Sequence, residues 1–141
     1  MQVYLAGIMQ GSHPDDAMHG QGYRAFLTDL LRTHAPQMQV FDPWVAYPDS
    51  QTYPDERART VLVDNVMEAA ASDVVIAYLP QASMGTALEM WEAWRAGATV
   101  IAITPLAGNW VVRTCAAQRY ATLDEFAAAV QAGALAGLTP T

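Results

Sequence analysis

Residues 73–104, DVVIAYLPQASMGTALEMWEAWRAGATVIAIT, leave this chain few choices of fold. Asp73 to Leu79 reads as a buried strand, apolar from Val74 onward, and Ala98 to Ile103 as a second apolar strand. Between them, Pro80 to Gly85 reads as a loop and Thr86 to Ala96 as a helix stopped by Gly97. Strands that are apolar on both faces belong to a parallel sheet covered on both sides, and a helix between two of them is a crossover. Such crossovers are right-handed, which builds an open α/β sheet.

The remainder fits that plan. Val3 to Ala6 is a short apolar strand ended by Gly7, followed by the turn-rich loop IMQGSHPDDAMHGQG. From Tyr23, the positions Tyr23, Phe26, Leu27, Leu30, Leu31 and His34 recur at helical spacing and predict one buried stripe, which Pro36 ends. Gln39 to Asp42 is a second strand, and PWVAYPDSQTYPDE reads as a long loop with three prolines. A helix follows over about Asp55 to Ser72, with Leu62, Val66 and Ala69 beside Val63, Met67 and Ala70 as its apolar side and Asp64 and Glu68 on another face. After Thr104-Pro105, the spacing predicts a short helix near Val111 to Ala116 and a fifth strand at Arg119 to Ala121. A last helix, Leu123 to Ala132, has Thr122 as N-cap with Glu125 at capping-box distance. The expectation is one three-layer, doubly wound α/β domain (flavodoxin- or Rossmann-like) of about five parallel strands over 141 residues, with 132–141 a loosely ordered tail.

Composition narrows the function. The net charge is -7, and all seven cations are scattered arginines, so no basic face offers itself to a nucleic acid polymer. No apolar run approaches membrane-spanning length and no leader pattern opens the chain, so a cytoplasmic protein is expected. The single Cys115 excludes an internal disulfide framework and a multi-cysteine zinc site. A small-molecule ligand remains. Four Trp and six Tyr suit a core, a planar ligand or a subunit interface.

In open α/β sheets ligands bind beyond the carboxyl ends of the strands. Glu89 falls there, in what reads as the first turn of its helix. Thr86 and Glu89 have the spacing of a capping box, TxxE, and that is the plain structural reading. The functional reading is a nucleophilic carboxylate kept ionised by the helix N-terminus, with Gly85 allowing close approach of a ligand to the backbone.

YLAG at Tyr4 to Gly7, the strand opened by Asp73, and SMGTALEMWEAWRAGATVI together resemble the nucleoside 2-deoxyribosyltransferase family, which includes 2'-deoxynucleoside 5'-monophosphate N-glycosidases. The resemblance implies cleavage of the N-glycosidic bond of a deoxynucleoside, with Glu89 as the nucleophile that forms a glycosyl ester and Tyr4 orienting it. It implies a site aspartate on the helix before the central strand. Asp64 is the candidate able to act as an acid, while the family spacing falls one residue later on Asn65. Ser83 resembles the nucleotide-hydrolase branch, whereas transferases carry an acid there. That branch also has a Ser and an Arg after the first-strand glycine, where this chain has Ile8 and Gln10; Gly11, Ser12 and Arg113 are the available substitutes. Further candidate contacts are Gly7, Met84 and Gly85, with Trp44 for a base. The resemblance implies no cofactor and a homodimer or higher homo-oligomer, with Asn109 contributed by a neighbouring subunit.

Four alternatives stand beside these. Asn109 also reads as a turn residue and Asp64 as a solvated helix face. HPDDAMH, with His13, Asp15, Asp16 and His19, has metal-ligand chemistry but reads better as a helix start. The whole chain also fits a non-catalytic nucleotide-sensing module on the same fold.

Overall fold

The computed structural model describes residues 1–140. Strand β1 is Gln2–Gly7, helix α1 Gly22–His34, β2 Gln39–Phe41, α2 Pro43–Ala46 and α3 Asp55–Ala71. Then come β3 Val74–Tyr78, α4 Met84–Ala96, β4 Thr99–Ile103, α5 Trp110–Cys115, β5 Gln118–Tyr120 and α6 Leu123–Gln131. The five strands form one sheet of order β2-β1-β3-β4-β5, and every pairing is parallel. This is the doubly wound α/β architecture, with its switch point between β1 and β3.

Alternation along the strands divides the core in two. Val3, Leu5, Val74, Ile76, Ile101 and Ile103 face Leu27 and Leu31 of α1 and Phe126 and Val130 of α6. Tyr4, Ala6, Val75, Ala77, Val100 and Ala102 face Ala69 of α3, Met90 and Ala93 of α4, and Val112 of α5. Burying each large apolar side chain here stabilises the fold by about 1.5–3 kcal/mol. The sheet's second face carries many alanines, so α4 packs close to it and brings its own side chains over the end of β1.

Several local expectations are corrected. The segment after β2 is not one long loop: Asp42 caps α2 by accepting the Trp44 N–H, and Ser50–Thr52 forms a 3-10 turn. On α1, Phe26 and His34 lie outside the buried stripe and are exposed, while Arg24 is buried within it. On α3 only Val61 and Ala69 are fully buried, and Leu62, Val63 and Met67 face outward. The tail is not loose throughout, since Leu135 is buried and Leu138 packs against the α1–α6 core. Thr122 caps α6 as expected, accepting the Glu125 N–H.

Candidate active site

Helix α4 begins earlier than the TxxE spacing suggests. Ser83 is its N-cap, and Ser83 Oγ accepts both the Thr86 N–H and the Thr86 hydroxyl. Glu89 therefore belongs to the second turn and caps nothing, which removes the capping-box reading. Its side chain turns inward, 7% exposed, and accepts a hydrogen bond of 2.7 Å from Tyr4 Oη to Oε1. The two residues are 85 positions apart in the chain. The parallel β1–β3 pairing and the packing of α4 over the end of β1 bring them together.

The electrostatics also differ from expectation. Burial pushes the Glu89 carboxyl up to about 7, against the opposing pull of the Tyr4 hydrogen bond and the Arg24 charge. The helix N-terminus does not hold it ionised, because its influence fades beyond the first turn while desolvation acts on the whole group. Tyr4 is driven far above the ordinary phenol range by burial first and the Glu89 charge second, so it remains a protonated donor. Its ring stacks on Phe41 at 5.7 Å, which fixes the direction of the hydroxyl.

Glu89 lies at the floor of a cavity of about 190 Å³ at the switch point, lined also by Gly7, Gln10, Gly11, Asn65, Ser83, Met84 and Gly85. The structure thus brings Gly7, Gly11, Asn65, Ser83, Met84 and Gly85 to the same cavity as Glu89. Gly7 is required there: a Cβ would lie 2.3 Å from Tyr23 Oη, whose hydroxyl donates to Ile8 O. Ser83 uses its lone pairs for the cap, so its own proton is available to a ligand.

Other candidates fall elsewhere. Asp64 is exposed and outside the cavity. One residue is about 100° on a helix, so it is Asn65 that lines the cavity, with Oδ1 buried and without a hydrogen-bond partner. Gln51 Oε1 is the other such side-chain atom among the described residues. Ser12 is exposed in a turn and Trp44 half-buried on α2, both away from this cavity. Asn109 caps α5, accepting from the Val111 and Val112 N–H groups, and lines a separate apolar cavity of about 70 Å³ that shares only Ser83 with the first. Arg113 borders a third cavity with Trp110 and Thr114. The rings of His13 and His19 lie 4.7 Å apart, and no group of three or more His, Cys, Asp or Glu among the described residues converges on a metal position. No helix among the described residues is long and apolar enough to cross a membrane.

The residue that sequence reasoning missed is Arg24. It is 2% exposed and pairs with Asp42 at 2.8 Å. In the sequence it is one scattered arginine, and only its place inside the apolar stripe of α1 signals burial.

No protein-family model and no curated protein matches this sequence. Solved structures do match the fold. A 2-deoxyribosyltransferase from Bacillus psychrosaccharolyticus superposes with a TM-score of 0.72 at 16% identity, covering 100% of this chain and 98% of that one. The protein BlsM, solved in solution, gives 0.62 at 21% identity over 92% of this chain and 84% of its own. A conserved protein from Enterococcus faecalis V583 gives 0.52 at 23% identity over 94% and 86%. At these identities the likeness establishes the fold, which is that of the 2-deoxyribosyltransferase structure.

Proposed function

We propose that this chain cleaves or transfers at the N-glycosidic bond of a nucleoside, deoxynucleoside or nucleoside 5'-monophosphate, with Glu89 as covalent nucleophile. The observation that carries the reading is the buried Tyr4–Glu89 hydrogen bond at the floor of the switch-point cavity. The match in fold to a 2-deoxyribosyltransferase supports it.

In this reading Tyr4 engages Oε1 and Glu89 attacks the anomeric carbon through Oε2. The electron pair of the C–N bond leaves with the base, and a glycosyl ester forms. Water or a second base then attacks the same carbon and releases the carboxylate. A carboxylate made basic by burial is a better nucleophile once ionised, so turnover rises with pH through about 7. Asn65, able to donate and accept but not to act as an acid, binds sugar or base through its orphaned oxygen. Ser83, Met84, Gly85, Gly7 and Gly11 complete the contacts, and no cofactor is called for.

The reading includes a homo-oligomer. Leu62 and Met84 at the cavity rim are exposed, as are Leu88, Trp91 and Trp94 along α4. A second copy covering this face would bury them. Light scattering that finds a dimer or larger supports the assembly, and a wild-type monomer overturns it.

The test of the chemistry is chromatographic. A panel of nucleosides and monophosphates is incubated with wild type and Glu89→Ala, with and without a second free base. Free base from wild type alone supports the reading, and the effect of the added base separates transfer from hydrolysis. Ligands that stabilise the protein yet stay intact replace it with a binding module.

A further inference from the structure

The pairing of β1 with β2 stops at Tyr4, opposite Phe41. Beyond it, β1 continues through Leu5, Ala6 and Gly7, but the chain has already turned into Asp42 and α2 on that side. Buried carbonyls left there without donors would be costly. Arg24 fills the gap. Nη1 donates to Leu5 O at 3.1 Å and Nη2 to Gly7 O at 3.3 Å. Nη1 also donates to Asp42 Oδ1 at 2.8 Å, and Nε donates to Gln21 Oε1 at 2.7 Å. A planar guanidinium thus continues the ladder where the strand gives out. Asp42, which already caps α2, ties it to the end of β2.

We propose that Arg24, locked by Asp42, is a positioning residue for the Tyr4–Glu89 pair: it splices the carboxyl end of β1, the strand that carries Tyr4, to the end of β2. Gly7, whose carbonyl it holds, lines the cavity, and Tyr4 precedes Leu5 on the same strand. Tyr4 of β1 donates to Glu89; the charge that acts on the carboxyl comes from Arg24 of α1, which is paired with Asp42 and lies over the ring of Tyr23. Helix α3 presents only the uncharged Leu62 and Asn65. Arg24 is therefore the cation that favours the ionised Glu89 against burial. The inference rests on the proposed role of Glu89 as nucleophile, but its test does not need turnover.

The test follows the Glu89 carboxyl by carbon-13 NMR titration, assigned with Glu89→Gln. It is run in wild type, Arg24→Gln, Asp42→Asn and the double variant Arg24→Gln/Asp42→Asn, in which the Gln amide keeps a donor for the β1 carbonyls. Removing one member of a buried pair strains the fold, whereas removing both charges together is tolerated far better, so the double variant keeps the test alive where Arg24→Gln does not fold. The expected result is a Glu89 titration raised by roughly one pH unit in the double variant and lowered in Asp42→Asn, where the cation is left unopposed. A folded double variant whose Glu89 titrates as in wild type overturns the proposal and leaves Arg24 a purely structural splice. Base release in the same proteins separates the two ideas. A shifted titration with no turnover in any protein sinks the enzyme reading and leaves the positioning of Glu89 standing.

Discussion

Replacing Glu89 with Gln is expected to strengthen the fold while abolishing turnover, and the size of the gain follows from the site. Burial pushes the folded carboxyl from its ordinary 4.5 to about 7. Between those values the unfolded chain has lost this proton and the folded chain still holds it. The unfolded state then binds fewer protons, so stability falls as pH rises across the window. The contribution is fully present below about 4.5 and lost above about 7. At about 1.4 kcal/mol per pH unit the loss is roughly 3 kcal/mol. Gln has the same shape, accepts the Tyr4 hydrogen bond through its own oxygen, and never ionises. Glu89→Gln should therefore match wild type near pH 4.5 and exceed it by roughly 3 kcal/mol at pH 8, about 10 °C in Tm for a chain of this size. Every other titrating group is common to both proteins and cancels in the difference. Urea unfolding of the pair from pH 4.5 to 8 measures it, and two stability curves that run parallel across that range would refute the reasoning.

Three more outcomes are expected. Tyr4→Phe removes a hydrogen bond to a charged group worth about 1.5–3 kcal/mol; kcat in the base-release assay should drop roughly ten- to hundredfold, and the acid limb of the pH–rate profile should move up because that bond lowers the Glu89 pKa. Asn65→Ala should raise KM about tenfold or more through loss of a buried polar contact, while Asp64→Ala, at an exposed position, should leave both constants unchanged; the reverse pattern refutes the assignment. Gly7→Ala drives a methyl into Tyr23 Oη at 2.3 Å and should cost about 1–3 kcal/mol in urea unfolding, a cost that Gly7→Ala/Tyr23→Phe should partly recover by removing the clashing oxygen.

What the sequence made legible was whatever depends on apolar runs and their order. β1, β3 and β4 are continuous apolar stretches, and α/β alternation leaves one architecture for them. Helix boundaries were harder where two signals overlap. Ser83 and Thr86 are both good caps three residues apart, and only the backbone decides that Ser83 is used. The α3 register was ambiguous for the same kind of reason: Asp64 has the better acid chemistry, Asn65 the right angle around the helix. The outward Leu62, Val63 and Met67 were read as core because an apolar stripe looks the same whichever surface it serves. Arg24 could not be found by local pattern at all. Its partners are backbone oxygens at positions 5 and 7 and a carboxylate at 42, which only the folded sheet assembles.

The seating of Glu89 in the second turn of α4, bonded to Tyr4 of the interior strand β1, bears on how such a chain can diversify. The proposed nucleophile is carried by elements that the core already holds rigid. The walls around it come largely from residues 9–11, at the head of the exposed connection between β1 and α1, from Leu62 and Asn65 midway along α3, and from the first turn of α4. Exchanges at Gln10, Leu62 or Met84 reshape what enters without touching the Tyr4–Glu89 bond or the strand beneath it. Ligand choice and reactive geometry are thereby inherited separately, and a library confined to the rim can retune one while leaving the other intact.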